Sequence, residues 1–318
     1  MTTETVEERR PTLTSRGPVR RPIRRAGPLT PYLFLLPYAV LFLGFMALPA
    51  VYGIWISLHD YDYLLPHQPW VGLQNYTDLF TPGTRDFTDF WHSMEATGIF
   101  TLCTVPLLIV IPLAVAVLLN RKFPGRTFFR GVFFLPYVLG VAVVGLLFRF
   151  LLDPNIGVVN TYLHKLGLSQ TIPWTTQLPW AWVSLVGMTV WWTLGFNAII
   201  YLAGLQDISP DLYEAATLDG ASSWQRFRNV TLPGLRPVQL FVLTLTILSS
   251  ANMFGQAYLV TNGAPANQTR TAIMEIGTVG LRQYRQGTAA AMGYLLALAL
   301  VIVSLVNFRL FRSGQEAQ

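Results

Sequence analysis

Few residues in this sequence could carry out chemistry on a substrate. Its two lysines, Lys122 and Lys165, both lie outside any G-x-x-x-x-G-K-[ST] loop of the kind that holds nucleotide phosphates. Its four histidines form no pair at i and i+4 and no serine–histidine–acid set, and His59, His67 and His92 are too scattered for a metal site. We therefore predict that the chain is not an enzyme and carries no cofactor or metal of its own.

Two apolar runs carry uncharged polar and aromatic side chains of the kind that bind a sugar, through hydrogen bonds to hydroxyls and ring faces against the pyranose. The candidates are Trp191, Trp192, Thr193, Asn197 and Tyr201 in one run, and Thr246, Ser249, Ser250, Asn252 and Gln256 in the other. Asn197 and Tyr201 are four residues apart, so they would share one helix face, and the same spacing joins Asn252 and Gln256. The alternative is that these groups hydrogen-bond between helices and serve packing.

A polar stretch between these two runs, residues 205–236, has the signals of two short helices. Ser209 suits the N-cap of the first helix and Pro210 its first turn, while Gly220 can take the left-handed conformation that ends it. We expect this pair of helices either to insert into a groove on a soluble partner or to rest on a membrane surface.

The second of these helices begins with its own local signal. Ser222 and Gln225 have the spacing of a capping box, in which each side chain bonds the other residue's backbone N–H. Leu232 and Pro233 follow, and we predict that the proline ends the helix before the next apolar run.

The elements that must position these residues are apolar helices. Of the 318 residues, 52% are hydrophobic and 12% are charged, about half the charge of a soluble domain. Six runs are long enough to cross a bilayer at 1.5 Å per residue. They lie near 31–57, 94–119, 128–152, 179–205, 238–260 and 288–311. We predict an all-α integral membrane protein with about six transmembrane helices, kinked at Pro106, Pro112 and Pro136.

The first thirty residues contain seven arginines, several prolines and almost no large apolar side chain, so they cannot bury a core. We predict a disordered basic cytoplasmic tail over 1–30. The run 31–57 is longer than the apolar region of a signal peptide and has no clear cleavage site after it, so we predict a retained first span. Beyond it we predict an extracytoplasmic loop over 58–93, a core transmembrane domain over 94–311 and a cytoplasmic C-terminal tail over 312–318.

The positive charges indicate the orientation. Sixteen of the 22 lysines and arginines lie in segments that share one side of the membrane with the N-terminal tail, and five lie on the other side. Because positive residues beside spans stay in the cytoplasm, we predict a multi-pass plasma-membrane protein with both termini cytoplasmic. The net charge of +6 is explained by these clusters beside apolar runs, and no nucleic-acid partner is predicted.

The middle of every predicted span lacks Asp, Glu, Lys, Arg and His. Ion-coupled transporters and proton pumps need such groups to bind and release the coupling charge. Energy for uphill transport would therefore come from an ATPase on another polypeptide, since this chain has no nucleotide-binding loop. A facilitator or channel that needs no ATPase is the alternative from a different class.

The stretch 205–236 resembles the E-A-A-x3-G-x9-I-x-L-P signature of permeases in binding-protein-dependent ABC importers. The matching residues are Glu214, Ala215, Ala216, Gly220, Leu232 and Pro233, and Val230 stands in place of the usual isoleucine. The resemblance implies a type I ABC importer permease fold in which Glu214 to Gly220, including Asp219, form a coupling helix seated in a cleft of the ATPase. ATP-driven closure of the ATPases would then rock the spans between inward-open and outward-open states.

Other stretches resemble the sugar-permease branch of that family, of the maltose and glycerol-phosphate type. They are FLLPYAVLFLGFMALPAVYGIWISL with VGLQNY, GVFFLPYVLGVAVVGLLFRFLLDPNIGVVN, and AYLVTNGAP. The resemblance implies import of a sugar or oligosaccharide, with a glycerol-phosphate or glycerophosphodiester solute as the alternative. The implied substrate-pathway residues are Trp192, Asn197, Tyr201, Ser249, Ser250, Asn252 and Gln256.

The same resemblance implies a set of partners. They are a second, related but distinct permease, two ATPase subunits that carry ATP and Mg, and an extracytoplasmic solute-binding protein. Some maltose-type permeases have a large extra outer domain, whereas the longest outer segment here, 58–93, has about 36 residues. Contacts made by that domain are therefore not expected in this chain.

Overall fold

Helices are the only regular elements in the part of the chain that the computed structural model describes, which is the backbone of residues 30–316 and the side chains of residues 32–309. The predicted tail 1–30 therefore lies almost wholly outside the described residues. The helices are α1 (Thr30–Phe42), α2 (Leu48–Ser57), α3 (Gln74–Phe80), α4 (Arg85–Asn120), α5 (Arg126–Val138), α6 (Val141–Leu151), α7 (Val158–Lys165), α8 (Trp180–Asp207), α9 (Pro210–Leu218), α10 (Ser223–Arg226), α11 (Leu232–Gly234), α12 (Arg236–Ala251), α13 (Ala272–Gly277) and α14 (Gln286–Glu316). π-Helical turns occur at Leu43–Ala47, Phe227–Thr231, Ala257–Thr261 and Thr278–Arg282.

The chain divides into two units, one ending at Val51 and one beginning at Tyr52. Helix α1 continues through a π-helical turn into α2, within which the division falls, and Tyr32–Ser57 forms an apolar helical stretch of 26 residues. That length is enough to cross the hydrocarbon core of a bilayer. The remaining description concerns the second unit.

Three helices of the second unit are long and apolar enough to span a membrane unaided. They are α4, α8 and the Gln286–Arg309 part of α14. Helix α4 continues through Pro106 and Pro112 without a break, so neither proline ends it. The predicted spans 94–119, 179–205 and 288–311 correspond to these helices.

The predicted span 128–152 is two helices instead of one. Helices α5 and α6 meet at Leu139 and Gly140 with a bend of 93°. The break lies just after Pro136, whose ring cannot sit in a straight helix without loss of a hydrogen bond. The indole Nε1 of Trp192 in α8 donates a hydrogen bond of 2.9 Å to the carbonyl of Leu139, so one carbonyl freed by the bend is satisfied from another helix.

The predicted span 238–260 is also broken. Helix α12 ends at Ala251, and a short turn separates it from the π-helical turn Ala257–Thr261. At its start, α12 is bent by 68° from the segment Ser223–Gly234. The prediction that Pro233 ends the preceding helix is off by one residue, because the helical segment continues through Pro233 and ends at Gly234, before α12 begins at Arg236.

The predicted loop 58–93 is partly helical. Helix α3 occupies Gln74–Phe80, and α4 begins at Arg85, where the Thr84 side chain accepts a hydrogen bond from the Phe87 backbone N–H. The part before α3 is irregular, with one isolated antiparallel bridge between His59 and Trp70, and residues 81–84 form a short connection between α3 and α4. At the other terminus, α14 continues to Glu316 and takes in most of the predicted tail 312–318.

Helix α8 lies at the centre of this unit, packed against α4 and α5. Gly195 allows the contact with α5, because a Cβ atom at this position would lie 2.1 Å from the carbonyl oxygen of Phe133. Buried side chains from α4, α6, α8 and the segment after α12 then form one apolar cluster around Leu185 and Met188. These contacts hold α5, α8 and α12 around a common space.

Candidate functional site

A cavity of about 410 Å³ lies among α4, α5, α8, α12 and the turn after α12, within the size range of sites for small molecules. Six of the seven predicted pathway residues line it. They are Trp192, Asn197, Ser249, Ser250, Asn252 and Gln256. Thr193 and Thr246 line it as well, and no residue with a formal charge does so. The structure therefore brings the polar residues of two distant runs to one space.

Two hydroxyl groups of this cavity are arranged to accept hydrogen bonds. Thr193 donates its hydroxyl proton to the carbonyl of Thr189, and Ser249 donates to that of Leu245, each at 2.8 Å. A hydroxyl has one proton and two lone pairs, so each group keeps only acceptor capacity for a ligand. These acceptors favour a solute whose own hydroxyl groups donate hydrogen bonds.

The amides at the end of α12 add both donors and acceptors. Asn252 donates one amide hydrogen to the carbonyl of Leu248 at 2.7 Å and is exposed to the cavity side, and Gln256 makes no hydrogen bond with another described residue. Asn197 is 4% exposed, with its Nδ2 at 3.5 Å from the carbonyl of Leu108. The Ser250 hydroxyl is buried without a partner. The turn between α12 and the π-helical turn thus supplies the most available polar atoms.

Aromatic rings form a wall of the cavity that the sequence alone did not indicate. Tyr137 in α5 stacks on Phe196 in α8 with ring centroids 4.7 Å apart, and its ring is 6.2 Å from that of Trp192. Phe100 and Phe254 line the same space. Tyr137 reaches the cavity because the break after Pro136 turns the end of α5 toward α8, and that long-range geometry has no local sequence signal.

Tyr201 is the predicted pathway residue that does not reach the cavity. Its side chain is fully buried in a packed cluster with Leu113, Leu202 and Val242, and its hydroxyl has no hydrogen-bond partner among the described residues. Tyr201 lies one turn beyond Asn197, and the cavity ends at Asn197. The two residues share one face of α8, as their spacing predicts, but only Asn197 borders this cavity.

The segment after α8 has the caps expected from its sequence. The Ser209 hydroxyl accepts a hydrogen bond of 3.3 Å from the Asp211 backbone N–H, and Pro210 occupies the first turn of α9. Gly220 has a φ of +75° and ends α9, a conformation that strains residues with a Cβ atom. Ser222 and Gln225 form both bonds of the capping box at the start of α10.

A pair of hydrogen bonds joins the parts of this segment. Arg226 donates to the Thr217 hydroxyl at 2.8 Å, so the end of α10 is tied to α9. The hydroxyls of Tyr213 and Thr231 are 3.0 Å apart, which links α9 to the π-helical turn before α11 and α12. A displacement of α9 would therefore be passed to α12, whose other end borders the cavity.

The surface of α9 and α10 combines charge with exposed apolar groups. Glu214, Ala215, Asp219 and Gly220 of the predicted coupling segment are exposed, while Ala216 is half-buried. Leu218 is 89% exposed and Trp224 is 67% exposed, and neither was picked out from the sequence. Exposed apolar side chains beside charged ones are compatible with contact to another protein or to a membrane surface. Leu232 and Pro233 lie behind it in α11, partly buried against the helices.

The opposite end of the bundle, where α3 and α13 lie, is held by ion pairs. Arg285 donates to both carboxylate oxygens of Asp86, with 2.7 Å between Nη1 and Oδ1. Arg270 lies 2.9 Å from Glu275, whose side chain is 1% exposed. Burial raises the pKa of Glu275, and the positive charge of Arg270 opposes that rise. Within residues 32–309, no three His, Cys, Asp or Glu side chains are grouped so as to hold a metal ion.

Comparison with known proteins gives one family. The profile of the family described as binding-protein-dependent transport system inner membrane component matches residues 98–313. This span includes all of the cavity-lining residues and the segment from α9 to α11.

Two curated relatives align over most of the chain. The arabinooligosaccharides transport system permease protein AraP of Bacillus subtilis is 33% identical over 284 residues, which are 88% of each chain. The trehalose/maltose transport system permease protein MalF of Thermococcus litoralis is 32% identical over 276 residues, 86% of this chain and 92% of the relative.

A solved structure has the same fold. In the crystal structure of a bacterial alginate ABC transporter in complex with an alginate pentasaccharide-bound periplasmic protein, one chain superposes with a TM-score of 0.76 and 25% identity. The match covers 87% of this chain and 92% of that one. The fold of this chain is therefore found in a chain of a bacterial ABC transporter complex.

Proposed function

This chain belongs to the family of inner membrane components of binding-protein-dependent transport systems, and from that premise we propose that it is the permease through which an ABC importer moves a sugar or oligosaccharide. Family membership makes it a transport subunit and not an enzyme, as the sequence predicted. The all-α permease fold predicted from the sequence is also confirmed. The solute and the partner subunits are the parts that we propose.

The cavity is the observation that carries the sugar assignment. It combines aromatic rings, hydroxyl acceptors and three amides with no formal charge, and this combination binds neutral polyols better than it binds ions. The named solutes of the relatives support the same class, since AraP, MalF and the alginate transporter are all described as carriers of saccharides. Trp192, Asn197, Ser249, Ser250, Asn252 and Gln256 are the proposed contacts.

We propose that the chain works with a second, related permease, two ATPase subunits that bind ATP and Mg, and an extracytoplasmic solute-binding protein. The exposed Leu218 and Trp224 beside Glu214 supply an apolar and charged surface of the kind that docks on another protein. Closure of the ATPases would push on α9, and the bonds from Arg226 and Tyr213 would carry that motion to α12.

In this proposal both termini and the α9 to α11 segment are cytoplasmic. Sixteen of the 22 positive residues then lie on the cytoplasmic side, in keeping with the distribution beside membrane spans. The end of the bundle that carries α3 and α13 faces the outside, where the solute-binding protein would dock. The solute would therefore enter the cavity from the side of the broken end of α12.

Co-purification from native membranes tests this function. The tagged wild type should bring down an ATPase and a second permease, and Glu214→Lys should lose the ATPase while it keeps the permease. Glu95→Lys is the matched control, because Glu95 is an exposed glutamate at the outer end of the predicted span 94–119, away from α9. Absence of any ATPase from the wild-type preparation in mild detergent would favour a facilitator instead.

A further inference from the structure

A second, smaller cavity adjoins the first at the end of the bundle that carries α13. Its volume is about 240 Å³, and Phe254 lines both cavities. The other residues around it are Tyr258, Met274, Gly277, Thr278, Leu281 and Arg282. Arg282 is the one formally charged residue in the lining of either cavity.

Three planar groups are stacked in a row here: the guanidinium of Arg282, the ring of Tyr258 and the ring of Phe254, which lines both cavities. The guanidinium of Arg282 lies over the ring of Tyr258, 5.6 Å from its centroid, and Nη2 donates to the Tyr258 hydroxyl at 3.1 Å. The ring of Tyr258 stacks on that of Phe254, with centroids 5.3 Å apart and planes 11° apart. Aromatic faces bind sugar rings, and a guanidinium fork binds carboxylate or phosphate in two parallel hydrogen bonds.

Arg282 differs from its neighbours in having no carboxylate partner. At the same end of the bundle, Arg85, Arg270 and Arg285 each lie within 4.0 Å of an Asp or Glu, whereas no described carboxylate lies that close to Arg282. Its side chain is exposed to solvent, and most of its five N–H donors are not used by the protein. The charge is therefore available to an anion from outside.

Two irregular turns place this arginine and tyrosine together. Tyr258 lies in the π-helical turn Ala257–Thr261, and Arg282 lies in the π-helical turn Thr278–Arg282. π-Helical turns are rare and occur frequently at functional sites. Without them, both side chains would be rotated away from their present positions on the two helical segments.

We propose that Phe254, Tyr258 and Arg282 form a second solute subsite, outside the neutral cavity, that binds the oxyanion of an acidic sugar. The proposal rests on the permease function and narrows its substrate class. The oxyanion is a carboxylate on a uronic acid or a phosphate on a sugar or polyol, and both would receive the same two hydrogen bonds from the guanidinium. A ring stacked on Tyr258 would lead the rest of the solute past Phe254 into the neutral cavity.

Uptake by the complete importer tests this subsite. The importer is reconstituted in proteoliposomes with ATP inside and the binding protein outside, and initial uptake is measured for trigalacturonate, glycerol 3-phosphate and maltotriose. Arg282→Gln should lower uptake of the anionic probe about tenfold or more, because charge-assisted hydrogen bonds are lost, and should leave maltotriose uptake unchanged. Arg282→Lys should retain part of the uptake of the anion, and the exposed Arg85→Gln should behave as wild type.

The two anionic probes distinguish a carboxylate ligand from a phosphate ligand. Binding is also measured directly, so that a solute that binds but is transported slowly is still detected. Trigalacturonate or glycerol 3-phosphate should raise the apparent melting temperature of the purified wild-type complex and not that of Arg282→Gln.

If Arg282→Gln lowered neutral and anionic uptake equally, the subsite would be overturned. The same holds if the wild-type importer took up maltotriose and neither anion. Both results would leave the permease function in place. Failure of both anions to be taken up or to shift the melting temperature would also overturn it. Recovery of the ATPase in co-purification decides the permease function separately.

Discussion

Arg285 and Asp86 are 199 positions apart in the chain and form a two-pronged ion pair at the end of the bundle that carries α3 and α13. Arg285 also donates to the Thr288 hydroxyl, and Thr288 donates to Asn75, which in turn donates to the carbonyls of Ser57 and His59. The starts of α4 and α14, helix α3 and the end of α2 are thus joined in one polar network. This network holds these four segments together at the proposed outer face.

Loss of the Arg285–Asp86 pair should loosen that face. Asp86→Asn removes the charge but keeps the shape, and we expect it to lower the free energy of unfolding by about 1.5 kcal/mol, a value at the low end for charged hydrogen bonds because Arg285 is partly exposed. The measurement is the apparent melting temperature in detergent. Asp89→Asn is the control, because its exposed pair with Arg85 should contribute little. Equal effects of the two changes would contradict this account.

The buried pair of Glu275 and Arg270 should make stability depend on pH. Because burial raises the pKa of Glu275, its contribution to folding is present below the ordinary glutamate pKa and declines as pH rises through the raised value. Arg270→Met removes the cation that opposes this rise. We therefore expect Arg270→Met to destabilise the protein by about 3 kcal/mol near pH 8 and by clearly less near pH 5.

The charges around Glu275 define the control for that experiment. Asp89 raises the pKa of Glu275 further and Arg85 lowers it, but Arg270 is its nearest charged partner. Adding Glu275→Gln to Arg270→Met should remove the difference between pH 5 and pH 8, because no buried carboxyl remains to titrate. If the double variant kept the difference in stability between pH 5 and pH 8, the pH dependence would come from another group.

Gly220→Val should separate ATP hydrolysis from transport. At a φ of +75°, valine is strained by its branched Cβ, so the turn between α9 and α10 would be displaced from its present position. We expect ATPase activity of the assembled importer to persist while solute uptake per ATP falls severalfold. Gly167→Val is the control, since Gly167 also has a positive φ of 92° but follows α7, away from the coupling segment. Normal coupled uptake by Gly220→Val would contradict a coupling role for this turn.

Local signals in the sequence predicted local structure well. The cap at Ser209, the left-handed Gly220 and the box of Ser222 with Gln225 all depend on hydrogen bonds between residues two to five positions apart, so the sequence contains the whole interaction. Six of the seven predicted pathway residues line one cavity, and they were selected because uncharged polar groups are uncommon in apolar helices.

Contacts between distant elements could not be predicted in this way. The kink predicted at Pro136 is confirmed by the break after α5, but the sequence does not show that Trp192 bonds the Leu139 carbonyl from 53 residues away. Nor does it show the Arg282–Tyr258 contact, which joins two π-helical turns. The i, i+4 spacing gives the helix face that Tyr201 shares with Asn197, but it does not give the depth at which a cavity ends. Sequence reasoning thus identified which residues are chemically unusual more reliably than it identified what they face.

Variants of Tyr201 and Asn252 test whether the solute contacts are the residues that line the cavity or the residues selected by their spacing in the sequence. Asn252→Leu and Gln256→Leu each replace an amide that borders the cavity, so both should raise the solute concentration for half-maximal uptake about tenfold, the effect of one or two lost hydrogen bonds. Tyr201→Phe removes a hydroxyl with no partner from a packed cluster, so uptake should be unchanged. Recovery of the ATPase in co-purification checks that each variant assembles. Impaired uptake in Tyr201→Phe together with normal uptake in Asn252→Leu would move the pathway away from this cavity toward the cluster around Tyr201.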